Sequence, residues 1–166
     1  MTAELFTVLH DVHAQLIERH QTVSVAESCT GGLLGAALTE RPGSSAYFLG
    51  GIQAYANSVK EELLGVSHET LLSFGAVSEE VASEMALGIQ RLTGSDWALS
   101  TTGIAGPDGG SEEKPVGTVW VSVADSVGVY SQKFLLDGAR PNVRNRTVFE
   151  ALSILLERLS DDEDDL

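Results

Sequence analysis

Three side chains in one stretch of this sequence suit acyl-transfer chemistry: the hydroxyl of Ser45, the phenol of Tyr55 and the amine of Lys60. Lys60 is one of only three lysines, and between Ser28 and Val59 the only charged residues are Glu40 and Arg41. A lysine at the edge of an apolar, glycine-rich pocket loses the hydration that its charged form needs, and the neutral amine is a base. The plainer alternative is a first-turn lysine in water, paired with Glu61 or Glu62. Ser45 follows Ser44, which suits the cap of a short turn, and free N–H groups at such a turn can hold an oxyanion. A fully extended chain puts Ser45 about 33 Å from Tyr55. The two side chains therefore meet only if the chain reverses at Gly50-Gly51.

Glycine is concentrated where a ligand would bind. Eleven of the 17 glycines fall in two windows, Gly31 to Gly51 and Gly103 to Gly117, each following an expected strand. In open α/β sheets ligands bind beyond the carboxyl ends of strands, and glycine lets backbone N–H groups approach an anion. Ordinary turn chemistry explains either loop alone; two such loops favour a shared pocket. Neither matches the GxGxxG or GxxxxGK[ST] phosphate loops.

Other residues carry weaker signals. Cys29 has no histidine nearby in sequence, so a small buried residue at a strand end is the better reading. His10 and His13 lie one turn apart without a third ligand, while His20 and His68 fit loop or cap positions. Asp108, Glu112 and Glu113 read as solvated loop carboxylates. Arg140, Arg144 and Arg146 crowd the start of the last helix. Arg140 and Arg144, four apart, can share a face that suits a phosphate or carboxylate, or they neutralise neighbouring acids.

The elements that must position these groups are legible in the periodicity. Residues 4–19 read as an amphipathic helix through Leu5, Leu9, Val12 and Leu16. Thr22 to Ala26 reads as a buried strand entering the Glu27–Gly32 turn and a helix from Leu33 to Leu38. A short turn at Ser44–Leu49 and a break at Gly50-Gly51 precede an expected strand Ile52–Ala56. Ser58 and Glu61 have capping-box spacing, Ser67 and Ser78 look like further N-caps, and Gly94 a C-cap. Trp97–Thr101 reads as a strand, Thr118–Ala124 and Val127–Leu136 as a hairpin, and Pro141 as the opening of the last helix. The fold expected is α/β, a three-layer α/β/α sandwich with a mixed, mostly parallel sheet.

Composition bounds the function. The chain has 166 residues, 43% of them hydrophobic, which suits one domain with a real core. Its net charge of −14 argues against nucleic acid or an anionic membrane as partner. Five of those charges lie in Asp161–Asp165, leaving −9 for the body. The expected organisation is a single domain over 1–160 and a disordered acidic tail over 161–166. A single Cys excludes an internal disulfide, and neither a signal peptide nor a membrane span is apparent, so a cytoplasmic location is expected. Exposed apolar positions on the first and last helices are compatible with a homo-oligomer, and burial within a monomer explains them equally well.

Three stretches together carry a family resemblance: Ala26-Glu27-Ser28-Cys29-Thr30-Gly31-Gly32; Pro42-Gly43-Ser44-Ser45 with Tyr55 and Lys60; and Thr102 to Gly110 closed by Lys114 to Trp120. From about Leu5 to Leu159 the chain resembles the CinA C-terminal domain, the nicotinamide-nucleotide amidase family, in its stand-alone form. The resemblance implies hydrolysis of the carboxamide of nicotinamide mononucleotide, giving nicotinate mononucleotide and ammonia. It makes Ser45 the nucleophile, Tyr55 its neighbouring hydroxyl and Lys60 the general base, with no cofactor and no metal. For the substrate it implies donors from Ser28, Thr30 and Gly31, from Thr102 and Gly103, and from Arg140 or Arg144. Two departures stand out. Ala139 replaces an acid in the usual Gly-Asp-Arg, and Ala56 a serine in the commoner Tyr-Ser-Asn. The alternative from a different class is an inactive paralogue acting as a nucleotide-binding or interaction module.

Overall fold

The structure is a computed structural model, and it describes residues 2–164. The chain runs α1 (Ala3–Arg19), β1 (Val23–Glu27), α2 (Leu33–Leu38), a 3-10 turn (Ser44–Ala46) and β2 (Phe48–Gln53). It continues through α3 (Asn57–Leu64), α4 (His68–Phe74), α5 (Glu79–Thr93), β3 (Trp97–Gly103), β4 (Thr118–Ala124), β5 (Val129–Leu135) and α6 (Arg140–Asp164). The five strands form one mixed sheet in the order β2-β1-β3-β4-β5. β1 pairs in parallel with β2 and β3, and β4 runs antiparallel to both β3 and β5. Helices cover both faces, which gives the three-layer α/β/α architecture expected from the alternation of periods.

The two faces differ in side-chain size. On one, Val23, Val25, Leu99, Val121 and Val123 meet α1, α2 and α6 through residues such as Leu9, Leu16, Leu34, Leu152 and Leu155. On the other, Ala26, Ala98 and Ala124 meet α3, α4 and α5 through Leu64, Leu71, Met85 and Ile89. Small residues on that second face let the helices approach closely. A Cβ on Gly88 of α5 would lie 2.0 Å from the Leu64 carbonyl oxygen of α3, so only glycine permits this crossing.

Several local readings hold. Leu5, Leu9, Val12 and Leu16 are the buried stripe of α1, Ser67 and Ser78 cap α4 and α5, and Gly94 ends α5 in the left-handed region. Others are corrected. Gly50-Gly51 is no break but the middle of β2, paired with Ser24 and Val25. A Cβ on Gly51 would lie 2.4 Å from Val25 Cγ2 and 2.7 Å from the Val25 carbonyl oxygen. The glycine is there for close approach, not for a turn. Residue 56 rather than Ser58 caps α3, and Ala56 has no side chain with which to do so. Finally, α6 runs on through Asp164, so the acidic segment expected to be a disordered tail begins as helix, and Asp165 and Leu166 lie outside the described residues.

β1 is the strand at which the topology switches. From it the chain crosses through α2 to β2 on one side, then returns through α3, α4 and α5 to β3 on the other. The crevice beyond the carboxyl ends of β1 and β3 is where this class of sheet binds ligands.

Candidate active site

Lys60 is buried because of its place on α3. Residues 60 and 64 lie four apart and share the inward face, so the lysine occupies the position of a core residue next to Leu64. It is only 1% exposed. Its Nζ donates to the backbone carbonyls of Ala54 at 2.8 Å and Tyr55 at 3.1 Å, and lies 3.1 Å from Ser28 Oγ. No carboxylate is among these partners. Burial lowers the amine's pKa below the ordinary lysine value; Cys29 opposes the shift to a smaller extent. A neutral amine has two N–H groups and one lone pair. With the amine charged, its third N–H donates to Ser28 Oγ; with the amine neutral, the two carbonyls take both N–H groups and the lone pair is left for the Ser28 hydroxyl.

Ser28 is held as firmly from its own side. It follows the last residue of β1, and its N–H donates to the Thr101 carbonyl at 2.9 Å, continuing the β1–β3 ladder by one bond. Glu27, 2% exposed, turns its carboxylate into the start of α2. It accepts from Leu34 N at 2.8 Å, Gly35 N at 3.1 Å and Thr30 Oγ1 at 2.6 Å, and Thr30 Oγ1 also contacts Thr101 Oγ1 at 2.8 Å. The helix N-terminus and the hydroxyl offset the cost of burying that charge.

Ser28 and Lys60 open onto a cavity of about 280 Å³. Its walls come from the end of β3 (Thr102, Gly103), the loop from Ile104 to Gly109, the α4–α5 junction (Ala76, Val77), Asn57 and Arg140. Arg140, first residue of α6, donates from Nη1 to the Gly106 carbonyl at 2.9 Å and from Nη2 to Tyr55 Oη at 3.1 Å. These two contacts orient it without the acid that Ala139 replaces. Thr102 Oγ1 donates to the Ala76 carbonyl at 2.8 Å, tying the β3 end to the α4–α5 junction.

The structure separates several residues that the sequence grouped. Ser45 is exposed on the 3-10 turn that precedes β2, whereas Tyr55 follows the other end of that strand. With no reversal at Gly50-Gly51, six strand residues at about 3.3 Å each keep Ser45 at the opposite end of β2 from Lys60. It is not among the residues that line the cavity. Tyr55 meets Lys60 only through its backbone carbonyl; its phenol is turned to Arg140. Thr30 is fully buried among Glu27 and Thr101 rather than facing the cavity. Gly31 and Arg144 lie together beside it, away from the cavity lining. The hydroxyl beside the amine is thus Ser28, which the sequence reading placed only among the binding residues. Its position directly after β1 was the available signal. Ala76 and Val77 were missed, because nothing in their local sequence marks a pocket wall.

The weaker candidates resolve simply. Burial pushes the Cys29 thiol up to about 12, helped by nearby Glu27, which disfavours the thiolate a nucleophilic cysteine needs. His13 Nδ1 lies 3.3 Å from Tyr47 Oη, His68 pairs with Glu61, and His20 is the left-handed C-cap of α1. Among the described residues no three His, Cys, Asp or Glu side chains gather as a metal cluster, and no helix is long and apolar enough to cross a membrane. Arg146 pairs with Glu150 at 2.8 Å and covers the Phe149 ring.

Comparison with known proteins agrees with this architecture. The family model described as CinA C-terminal domain matches residues 6–159. A CinA-like protein from Leptospira biflexa is 50% identical over 153 residues, covering 92% of this chain and 37% of that protein. One from Synechocystis is 52% identical over 156 residues, covering 92% and 38%. The chain therefore spans a little over a third of the length of these curated relatives. Among solved structures, the competence/damage inducible protein CihA from Agrobacterium tumefaciens superposes with a TM-score of 0.92 at 40% identity, covering 96% of this chain and 98% of that one. A CinA superfamily protein from Klebsiella pneumoniae gives 0.91 at 34%, covering 95% and 98%. Matched along nearly its whole length in sequence and in fold, the chain belongs to the CinA C-terminal domain family.

Proposed function

We propose that this protein is a cytoplasmic amidohydrolase that converts nicotinamide mononucleotide to nicotinate mononucleotide and ammonia, with Ser28 as nucleophile and Lys60 as general base. The observation that carries this reading is the buried Lys60 amine, without a carboxylate partner, 3.1 Å from the Ser28 hydroxyl at the wall of a cavity. An amide is a poor electrophile, so the attacking hydroxyl must lose its proton as it attacks. Lys60 takes that proton while Ser28 Oγ bonds to the carboxamide carbon. The carbonyl π electrons move onto oxygen, where the N–H groups of Cys29 and Thr30, next along the chain, are the nearest donors in sequence; each such donor contributes roughly 3 to 4 kcal/mol. The tetrahedral adduct collapses, the C–N bond breaks, and Lys60 returns the proton to nitrogen as ammonia departs. Water, deprotonated by the same amine, then attacks the nicotinoyl ester; Ser28 leaves with the proton and the acid is released.

The cavity's size suits a single small molecule near the lower limit of ordinary ligand pockets, about 300 Å³. Arg140 is the exposed cation at its wall and the group best placed for a phosphate dianion. The net charge of −14 favours a small ligand over nucleic acid as the partner of that arginine.

Ammonia release from nicotinamide mononucleotide by wild type, Ser28→Ala, Lys60→Ala and Ser45→Ala tests the reading. Release by wild type and Ser45→Ala alone is expected. Equal release by all four chains would refute the mechanism. Binding of the nucleotide without turnover by wild type would favour the inactive module.

A further inference from the structure

Arg144 is a cation that the catalytic reading leaves without a task. It lies one turn beyond Arg140 on α6, does not line the cavity, and is half-buried against the turn that follows Ser28. Its Nε donates to the Cys29 carbonyl at 3.1 Å and its Nη2 to the Thr30 carbonyl at 3.1 Å. One rigid guanidinium therefore grips two successive peptide planes, Cys29–Thr30 and Thr30–Gly31, in the turn that follows Ser28. A peptide unit is planar and trans, so aiming a carbonyl one way aims the following N–H the other way. The Cys29 carbonyl thus sets the direction of the Thr30 N–H.

The rest of the turn is built around this grip. Gly31 N donates to the Ser28 carbonyl at 3.1 Å, and Leu33 N to the Thr30 carbonyl at 3.1 Å. The Thr30 carbonyl thereby receives both α2 and Arg144. Gly31 has φ +57, and a Cβ there would lie 3.0 Å from Arg144 Nη2. The glycine serves both the left-handed backbone and the seat of the guanidinium. A lysine would reproduce only part of the contact: its ammonium can serve one of the two carbonyls, whereas a fork with two donors spans both.

We propose that Arg144 is a positioning residue for catalysis: from α6 it fixes the two peptide planes of the turn after Ser28, and so both the reach of Ser28 Oγ to Lys60 and the direction of the Thr30 N–H. This inference rests on the amidase reading with Ser28 as nucleophile. It separates two arginines of one helix by function, Arg140 toward the ligand and Arg144 toward the loop.

The test compares wild type, Arg144→Met and Arg144→Lys on nicotinamide mononucleotide, with kcat normalised to the folded fraction measured by thermal unfolding. A misplacement of about 1 Å, or loss of one oxyanion donor, costs about 10²-fold. Arg144→Met is therefore expected to lose about 10²-fold in kcat with KM held within about threefold, the signature of a contribution made in the transition state. Arg144→Lys should recover part of that loss, and low-millimolar guanidinium should partly rescue Arg144→Met; a merely structural role would show neither. A kcat equal to wild type, or a rise in KM at constant kcat, would overturn the role, the latter marking Arg144 as a substrate contact. Failure of both variants to fold would also overturn it, leaving Arg144 a stabilising residue. A wild-type chain that releases no ammonia would instead overturn the amidase reading, and the positioning role with it.

Discussion

The two ends of the parallel strands hold much the same polar chemistry and put it to opposite uses. At the amino end of β2, Ser45 stands in water, while Tyr47 is 2% exposed and gives its hydroxyl to the Leu38 carbonyl at 2.6 Å. His13 approaches the same phenol, and burial, with Arg41 and His10 nearby, lowers its pKa. At the carboxyl end, Ser28 meets Lys60, and that pair borders a cavity. The difference lies in what surrounds the hydroxyls. A serine in water has no base, and a buried tyrosine satisfied by a carbonyl is a strut. Only a hydroxyl beside a desolvated amine at a cavity wall has reason to react.

The sharpest way to break this contrast is to delete each serine in turn. Ser28→Ala should lower kcat/KM by about 10³-fold or more, as removal of an activated nucleophile does. Ser45→Ala should leave it within about twofold, since the hydroxyl is exposed and remote. Ammonia release measured under identical conditions decides between the two ends.

Lys60→Met should come next, at about 10²- to 10⁴-fold, the usual worth of a general base. In wild type, activity should rise with pH through a single limb set by the lowered amine pKa, because only neutral Lys60 accepts the Ser28 proton. Stability should change in the same direction. The folded amine titrates below its unfolded value of about 10.4, so between the two values the unfolded chain binds more protons, and wild type gains stability as pH rises. Denaturant unfolding at a series of pH values should therefore show wild type improving relative to Lys60→Met from neutral toward alkaline pH. A parallel pair of curves would contradict a desolvated lysine.

Arg140→Ala should act on binding more than on turnover. Loss of a charge-assisted hydrogen bond costs about 1.5–3 kcal/mol, which is a rise in KM of roughly 10- to 100-fold. A fall in kcat at constant KM would place Arg140 in the chemistry instead. The smallest effect belongs to the amino end. Tyr47→Phe removes a buried hydrogen bond and should cost about 1 kcal/mol of stability with kcat unchanged, read from a denaturant midpoint beside an activity assay.

Sequence reading succeeded where a signal is local and failed where it depends on a neighbour. The stripe of α1, the caps at Ser67, Ser78 and Gly94, and the β4–β5 hairpin are short-range patterns, and each stands where expected. Gly50-Gly51 misled, because a glycine pair that ends a strand and one that lets Val25 pack against it look identical along the chain. The family resemblance named Ser45, and the reversal that would have joined it to Tyr55 is absent. Arg140 and Arg144 were indistinguishable for a similar reason: four residues apart, they share a face, but one extends past the helix start and the other lies back on the turn after β1.

The residues alone determined the kind of fold, the rarity of lysine around position 60 and the family to which the chain belongs, because periodicity, composition and motif are properties of the linear order. Only the tertiary structure decided which serine faces Lys60. That choice depends on β2 remaining straight and on α3 turning residue 60 inward, and both follow from packing against residues distant in the chain.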